Sequence, residues 1–299
     1  MGAMGFCDDL LLLAPTRDGM QLMLDTCQRF ATKFNLQFST DPNPNKSKTK
    51  CIFVCGRAKA KQKPANLWLD GKQLPWVESA LHLGHVLDQS GSMDQDIRTK
   101  RARFIDESVE VRETFGFASP AEVLRAVKLY VGSHYGSMLW ELGSNMASQY
   151  FNAWSTCVKL TWQVPRATHT YFVDQMLSCG MNSVRVDTMA RFTKFVRGLV
   201  ASPSMEVSVM YGVARQDIRT VTGANLALIR KETGLDLGTS SVNKVREVLQ
   251  SGMALVPERD QWRMKYLARL LTERGEAHYR SDEEEVLRLS SLIDSLCCN

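Results

Sequence analysis

Two adjacent carboxylates, Asp8 and Asp9, are the residues of this chain best suited to chemistry. They stand between Gly5-Phe6-Cys7 and the leucine run Leu10–Leu13. Neighbouring carboxylates repel one another when both are ionised, and solvent or a bound divalent cation relieves that repulsion. The pattern therefore indicates a metal-binding turn for phosphoryl chemistry. An exposed Asp-Asp hairpin turn without any ligand fits the same residues.

The elements that follow the turn are predicted from apolar spacing. A helix is expected to begin near Thr16 or Asp18 and to end near Asn35, and a short strand should then carry Leu36 and Phe38. The helix prediction rests on apolar residues at helical spacing, namely Met20, Met23, Leu24, Cys27, Ala31 and Phe34.

The segment Phe6-Cys7-Asp8-Asp9 resembles motif C, the aromatic-x-Asp-Asp signature of reverse transcriptases, especially those of non-LTR (LINE-like) retrotransposons. Tyr-Ala-Asp-Asp is the more frequent form in that family. The resemblance implies that Asp8 and Asp9 bind Mg²⁺, with Asp8 as the direct ligand. It also implies two-metal nucleotidyl transfer to a primer 3′ hydroxyl, with an RNA template and DNA primer, or an RNA–DNA hybrid, as partners.

The next similarity is to motif D, an Asn-x-x-Lys-Ser/Thr pattern within Asn43–Lys50 that leads into a predicted strand over Cys51–Cys55. In the family, the motif D lysine is proposed to protonate the leaving pyrophosphate. Lys46 and Lys48 both satisfy the spacing, and Lys48 is favoured because it lies nearer the strand. On residue type alone, these lysines could simply contact phosphates or water.

A hairpin is predicted at Leu67–Leu74, because Asp70-Gly71 favours a turn with positive φ. A further predicted strand, His82–Val86, resembles motif E, the Leu-Gly primer grip. The resemblance implies that Leu83 and Gly84 contact nucleic acid, and a glycine allows close approach of a backbone. Zinc binding by Cys51, Cys55, His82 and His85 is an alternative that strand and hairpin positions do not favour.

The following helices are expected to form a thumb that tracks a duplex. Arg98, Lys100, Arg101 and Arg103 lie beside an apolar stripe, and Ser119-Pro120-Ala121-Glu122 predicts a capped second helix. A second basic cluster should bind phosphates and make binding salt-dependent. It contains Lys46, Lys48, Lys50, Arg57, Lys59, Lys61 and Lys63.

Composition bounds the fold class. The 299 residues are 44% hydrophobic and carry a net charge of +5. The resemblance to reverse transcriptases implies an α+β protein with a partial palm of a small antiparallel sheet and helix (1–90), a helical thumb (91–165) and a mostly helical C-terminal region (166–299). No apolar run suits a membrane span, no signal pattern is present, and the eight cysteines show no framework spacing. An intracellular location, nuclear or cytoplasmic, is expected; the sequence leaves the oligomeric state open.

Two-metal chemistry needs carboxylates from more than one backbone segment. In the family, the partner carboxylate of motif A precedes motif C, whereas the seven residues before Asp8 contain no acid. We therefore expect Met1 to be an internal methionine of a longer reading frame, and this chain alone to have little or no polymerase activity. There are two alternatives: the chain is a nucleic-acid-binding remnant without catalysis, or it is a pseudogene product.

Overall fold

A computed structural model of the chain describes residues 2–54, 65–168, 183–252, 258–280 and 283–297. It divides into two compact units, Met1–Asp96 and Ile97–Asn299. The first unit holds the strands and one long helix, and the second is helical, so the α+β class is confirmed. The predicted boundary near residue 90 lies close to this division, while the predicted thumb and C-terminal region fall mainly within the second unit.

The described strands form four small two-stranded sheets instead of the single antiparallel sheet that the sequence suggested. Hairpins join β1 to β2, β4 to β5 and β7 to β8, and the pairing of β3 with β6 is parallel. The strands are β1 (Gly2–Phe6), β2 (Asp9–Leu13), β3 (Cys51–Ile52), β4 (Trp68–Leu69), β5 (Lys72–Gln73), β6 (Trp76–Val77), β7 (Ser79–His82) and β8 (His85–Asp88).

A leucine core holds the first unit together. Leu24, Leu67, Leu69 and Leu74 are buried, each with at most 5% of its surface exposed. Leu24 comes from helix α1 (Arg17–Lys33), and the other three come from the β4–β5 hairpin or its flanks. Helix α1 begins where the sequence predicted, because the Thr16 side chain accepts a hydrogen bond from Gly19 N at 3.1 Å. The partly buried residues packed on this core are Leu12, Met20, Phe38, Cys51 and Trp76.

Two of the predicted strands are wrong in extent. Leu36 and Phe38 belong to no strand: Leu36 N donates to Ala31 O at 2.8 Å at the end of α1, and Phe38 packs on the leucine core. The strand expected over Cys51–Cys55 is reduced to β3, since its partner β6 is itself only two residues long. Cys55 lies outside the described residues. The Asp70-Gly71 hairpin is confirmed, with both residues at positive φ (54° and 68°).

The second unit is built from helices. Helix α2 begins just before the division between the units, and α3 carries the predicted capping box between Ser119 and Glu122. The helices of the described residues are α2 (Asp94–Thr114), α3 (Pro120–Tyr130), a 3-10 turn (Ser137–Leu139), α4 (Asn145–Thr161), α5 (Val184–Val200), α6 (Met205–Ala214), α7 (Val221–Thr233), α8 (Val242–Gly252), α9 (Glu258–Tyr279) and α10 (Glu283–Cys297).

A buried asparagine connects two distant parts of this unit. Asn225 on α7 is fully buried; its Nδ2 donates to Trp140 O at 2.7 Å and its Oδ1 accepts from Leu142 N at 2.8 Å. These bonds satisfy backbone groups that follow the 3-10 turn and would otherwise be buried without partners. They therefore fix this loop against α7.

His134 occupies a similar buried position before the 3-10 turn, with φ at 42° and 4% of its surface exposed. Its Nδ1 shares a hydrogen bond with the Tyr150 hydroxyl at 2.9 Å. Burial is the main cause that lowers the pKa of His134 to about 4; Arg191 and Lys128 lower it further, and Asp187 opposes them. The ring is therefore neutral in the folded chain at neutral pH.

We predict that His134 makes the fold acid-labile. Between pH 4 and pH 6.5 the unfolded chain binds a proton that the folded chain does not, so its contribution is complete above pH 6.5 and is lost as the pH falls. The free energy of unfolding should drop by about 2 kcal/mol from pH 7 to pH 5 through this residue alone. Urea unfolding of the chain and of His134→Asn, which tolerates positive φ, measures it. Equal pH dependence in both would contradict the assignment.

Candidate metal turn and nucleic-acid surface

The acidic turn lies at the tip of the β1–β2 hairpin. Phe6 pairs with Asp9, so Cys7 and Asp8 form a two-residue turn, and Cys7 adopts φ of 52°. Both carboxylates are exposed. The position of the turn is as the sequence predicted, whereas its metal-binding role stays a prediction.

The chemistry available at this tip is that of two exposed carboxylates. Mg²⁺ is a hard cation that binds oxygen ligands, so the exposed carboxylates of Asp8 and Asp9 are of the right chemical type to hold it. Within the described part of the chain, no group of three or more His, Cys, Asp or Glu side chains is placed to hold a metal. The turn therefore supplies ligands from one backbone segment, and two-metal chemistry needs more than one.

The lysines of the motif D-like segment lie on an exposed loop with a fixed backbone. Ser47 is 3% exposed; its hydroxyl donates to Thr49 O at 2.6 Å and accepts from Asp41 N at 3.3 Å. Because Ser47 points inward, its neighbours Lys46 and Lys48 are exposed, as is Lys50. Three cations at alternate positions thus share one stretch of surface.

The hairpin and the lysine loop are joined through the leucine core. Leu12 of β2 and Cys51, which follows Lys50, pack on the same buried leucines. Burial raises the pKa of the Cys51 thiol to about 11, so this thiol stays protonated and acts as a packing group. Asp8 and Lys48 are therefore both anchored, a few residues away, to one common core.

The Leu-Gly segment is a turn and not the strand that the sequence predicted. Leu83 and Gly84 both have positive φ (47° and 76°) and connect β7 to β8, with His82 paired with His85. Two positive φ angles define the type I′ turn, whose twist matches that of the flanking strands. Glycine adopts this conformation freely, but leucine does so at a cost.

A residue that sequence reasoning missed holds this hairpin in place. Asp96 is 1% exposed; one carboxylate oxygen accepts from Val86 N at 3.0 Å and the other lies 3.5 Å from His85 Nδ1. The start of α2 is thereby tied to β8. An acid in the first turn of a helix is the only signal in the sequence, and it equally fits a solvent-exposed interaction with the helix dipole.

The four cations of α2 do not form one exposed face. Lys100 is half-buried: its ammonium donates to Tyr135 O at 3.0 Å and lies 5.9 Å from the ring centres of Tyr135 and Trp140. Arg103 is exposed and pairs with Glu107 one turn away. At 100° per residue, Arg98 and Arg101 also point in different directions from these two. The predicted thumb surface is therefore reduced mainly to exposed Arg98 and Arg103, with Arg101 half-buried.

Four predicted phosphate-binding residues, Arg57, Lys59, Lys61 and Lys63, lie outside the described residues. No protein-family model, curated protein or solved structure matches the chain. The resemblance to reverse transcriptases therefore rests on the motifs of the sequence. Among the helices that are described, none combines the length and apolar character needed to cross a membrane.

The positive φ of Leu83 generates a stability prediction. We expect Leu83→Asn to raise the free energy of unfolding by about 1 kcal/mol, because asparagine tolerates the left-handed conformation that leucine disfavours. Urea unfolding measures it, with Asp70→Asn at the same position of the Asp70-Gly71 turn as the matched control, which should be neutral. A loss of stability in Leu83→Asn would show that packing of the leucine side chain outweighs its backbone strain.

Proposed function

We propose that this chain provides the metal turn and part of the nucleic-acid surface of an RNA-directed DNA polymerase of the non-LTR retrotransposon type. The observation that carries the proposal is the placement of Asp8 at the exposed tip of a hairpin anchored by Leu12 to the core. A carboxylate at the tip of this hairpin is exposed to solvent and can contact a bound substrate. The family resemblance supplies the rest of the argument.

In this proposal Asp8 and Asp9 hold Mg²⁺, and a further carboxylate from another strand completes the site. The bound ions would lower the barrier to attack by the primer 3′ hydroxyl and neutralise charge on the leaving pyrophosphate. Lys48, or Lys46, lies on the exposed loop from which an ammonium can donate a proton or a hydrogen bond to a phosphate oxygen. The exposed Leu83-Gly84 turn presents a glycine backbone against which a primer strand can lie closely.

A second candidate function is nucleic-acid binding without catalysis. It is favoured by Lys46, Lys48 and Lys50, which are exposed at alternate positions of the loop and require no metal to bind phosphates. Neutralising phosphates releases condensed counterions, so this binding depends on salt and little on base sequence.

We predict that an RNA–DNA hybrid binds the chain weakly and in a salt-dependent manner. Replacing Lys46, Lys48 and Lys50 together by Gln should reduce the log–log slope of affinity against salt by about two to three, because each phosphate contact contributes about 0.9. Fluorescence anisotropy with a labelled hybrid at several salt concentrations measures the slope, after light scattering has verified a monodisperse sample.

The matched control replaces three exposed lysines of the second unit, Lys194, Lys231 and Lys265, by Gln. It changes the net charge by the same amount and should leave the slope nearly unchanged. Equal effects of the two triple variants would mean that binding is a property of net charge alone. Salt-independent binding, or none at low salt, would contradict the nucleic-acid surface.

A separate prediction concerns catalysis. The chain alone should extend no primer on an RNA template with Mg²⁺ or Mn²⁺, because one turn leaves the attacking and leaving oxygens without a complete two-metal site. Incorporation of labelled nucleotides measures this, with Asp8→Asn, which keeps the shape and removes the charge, as the reference preparation. Template-dependent incorporation by the chain but not by Asp8→Asn would overturn the prediction.

A further inference from the structure

A groove runs between helices α2 and α4 of the second unit. Its first part is a cavity of about 310 Å³, and a second cavity of about 320 Å³ continues it, with Arg112 and Leu160 lining both. The first cavity follows Arg101–Arg112 of α2 and Gln149–Leu160 of α4, a length of about 16 Å at 1.5 Å per residue. The second lies where these helices end, and Pro120 and Val123 of α3 also line it. The groove is long enough for a ligand of several helical turns.

The two walls have the same periodicity. On α2 the lining residues are Arg101, Phe104, Ile105, Ser108, Val109 and Arg112, which recur at spacings of three and four. Such spacing places them on one face of the helix.

On α4 the lining residues repeat the same spacing, as Gln149, Asn152, Ala153, Thr156, Cys157 and Leu160. Phe104 packs on Tyr150 and Trp154, with ring centres 5.6 and 6.1 Å apart, and Leu160 lines the groove beside Arg112. Because the facing positions advance together along both helices, α2 and α4 run in the same direction.

The groove exposes apolar surface along its length. Ile105, Val109 and Leu160 are 38%, 38% and 39% exposed, on a floor that contains the buried Ala153 and Cys157. Burial raises the pKa of the Cys157 thiol, which is therefore neutral. Aliphatic side chains of this kind are covered when an amphipathic helix lies between two others.

Three polar side-chain atoms along the groove lack ordinary partners. Within the described residues, Arg101 Nε, Ser108 Oγ and Arg112 Nε are buried atoms with no hydrogen bond of normal geometry. Ser108 is 3% exposed, and its hydroxyl lies against the Cys157 thiol, a weak acceptor. Buried donors without partners are costly. The two guanidinium groups are suited to carboxylates, which they bind in a bidentate manner.

We propose that this groove binds an amphipathic α-helix of a protein partner. The apolar stripe of that helix covers Ile105, Val109 and Leu160, and two of its carboxylates meet Arg101 and Arg112. The arginines are eleven residues apart on α2, so the carboxylates lie about 16 Å, or three turns, apart on the partner. Exposed Glu113, which lines the far cavity, favours a basic residue of the partner at that end.

Charge and shape favour this occupant over nucleic acid. Among the described residues that line the groove, the only aromatic ring is that of Phe104, which is 2% exposed and cannot stack on a base. Single-stranded nucleic acid binds through exposed aromatic platforms and a continuous basic track. Here aliphatic surface separates the two arginines, as in grooves that hold helices.

The test uses the full chain and a fluorescein-labelled helical peptide. The peptide carries two glutamates about three turns apart and leucines between them at helical spacing; its control has glutamines in place of the glutamates. Fluorescence anisotropy should show saturable binding, about tenfold tighter for the glutamate peptide than for the control. Replacing Arg101 and Arg112 together by Gln should remove that difference.

Three variants of the chain distinguish peptide binding in the groove from a general effect of charge or of a damaged fold. Thr156→Trp fills the groove from its exposed rim and should abolish binding, with the fold checked by circular dichroism. Arg103→Gln changes an exposed arginine of α2 outside the groove and should have no effect. Arg101→Glu combined with Arg112→Glu should bind a peptide with lysines at the two charged positions, a gain that a damaged fold would not give.

Two results would overturn the proposal. The first is a lack of saturable binding of the glutamate peptide to the unaltered chain. The second is displacement of the bound peptide by an unlabelled RNA–DNA hybrid but not by excess unlabelled peptide, which would assign the groove to nucleic acid. Neither result depends on the polymerase proposal, because neither measures metal binding or nucleotide incorporation.

Discussion

The geometry of the first unit depends on the burial of Leu24, Leu67, Leu69 and Leu74 in one small core. Its sheets have two strands each, and two-stranded sheets are marginal in water without further packing. Each buried leucine contributes on the order of 1.5–3 kcal/mol. Packing on this core, more than strand pairing, therefore fixes where the acidic hairpin and the lysine loop lie.

Inward-facing side chains of the first unit also determine which of their charged neighbours are exposed. Leu12 packs inward while Asp8, four residues earlier, stands in solvent at the tip of the hairpin. Ser47 points inward between two exposed lysines. In both places an inward side chain fixes the backbone, and the neighbouring charged side chains are exposed to solvent. Asp96 acts in the same manner for the Leu83-Gly84 turn, because its buried carboxylate holds Val86 N.

Local signals in the sequence predicted the elements that local chemistry determines. The Asp-Asp turn, the Asp70-Gly71 hairpin, the α1 start at Thr16 and the Ser119 capping box are all fixed by a few neighbouring residues. Sequence reasoning failed where distant contacts decide. Phe38 packs on the core instead of pairing in a strand.

The candidate site shows the same division. The exposure of Lys46 and Lys48 follows from the alternation around Ser47. Lys100, by contrast, donates a hydrogen bond to Tyr135 O, thirty-five residues away, and is therefore not part of the predicted exposed surface. Asn225 is a buried polar residue whose hydrogen-bond partner Trp140 lies 85 residues away in the sequence. His134 is a second buried polar residue, and its position depends on an unusual positive φ. Such partners cannot be inferred from spacing within one segment.

We propose that the tip at Asp8 and Asp9 binds divalent metal. Paramagnetic broadening of the chain's amide NMR signals by substoichiometric Mn²⁺ tests it most directly. We expect signals near Asp8 to broaden first. Asp8→Asn should remove the effect, whereas Asp25→Asn, which changes an acid on α1, should not. Broadening that is strongest elsewhere, for example at Glu283–Glu285, or that persists at the tip in Asp8→Asn, would contradict it.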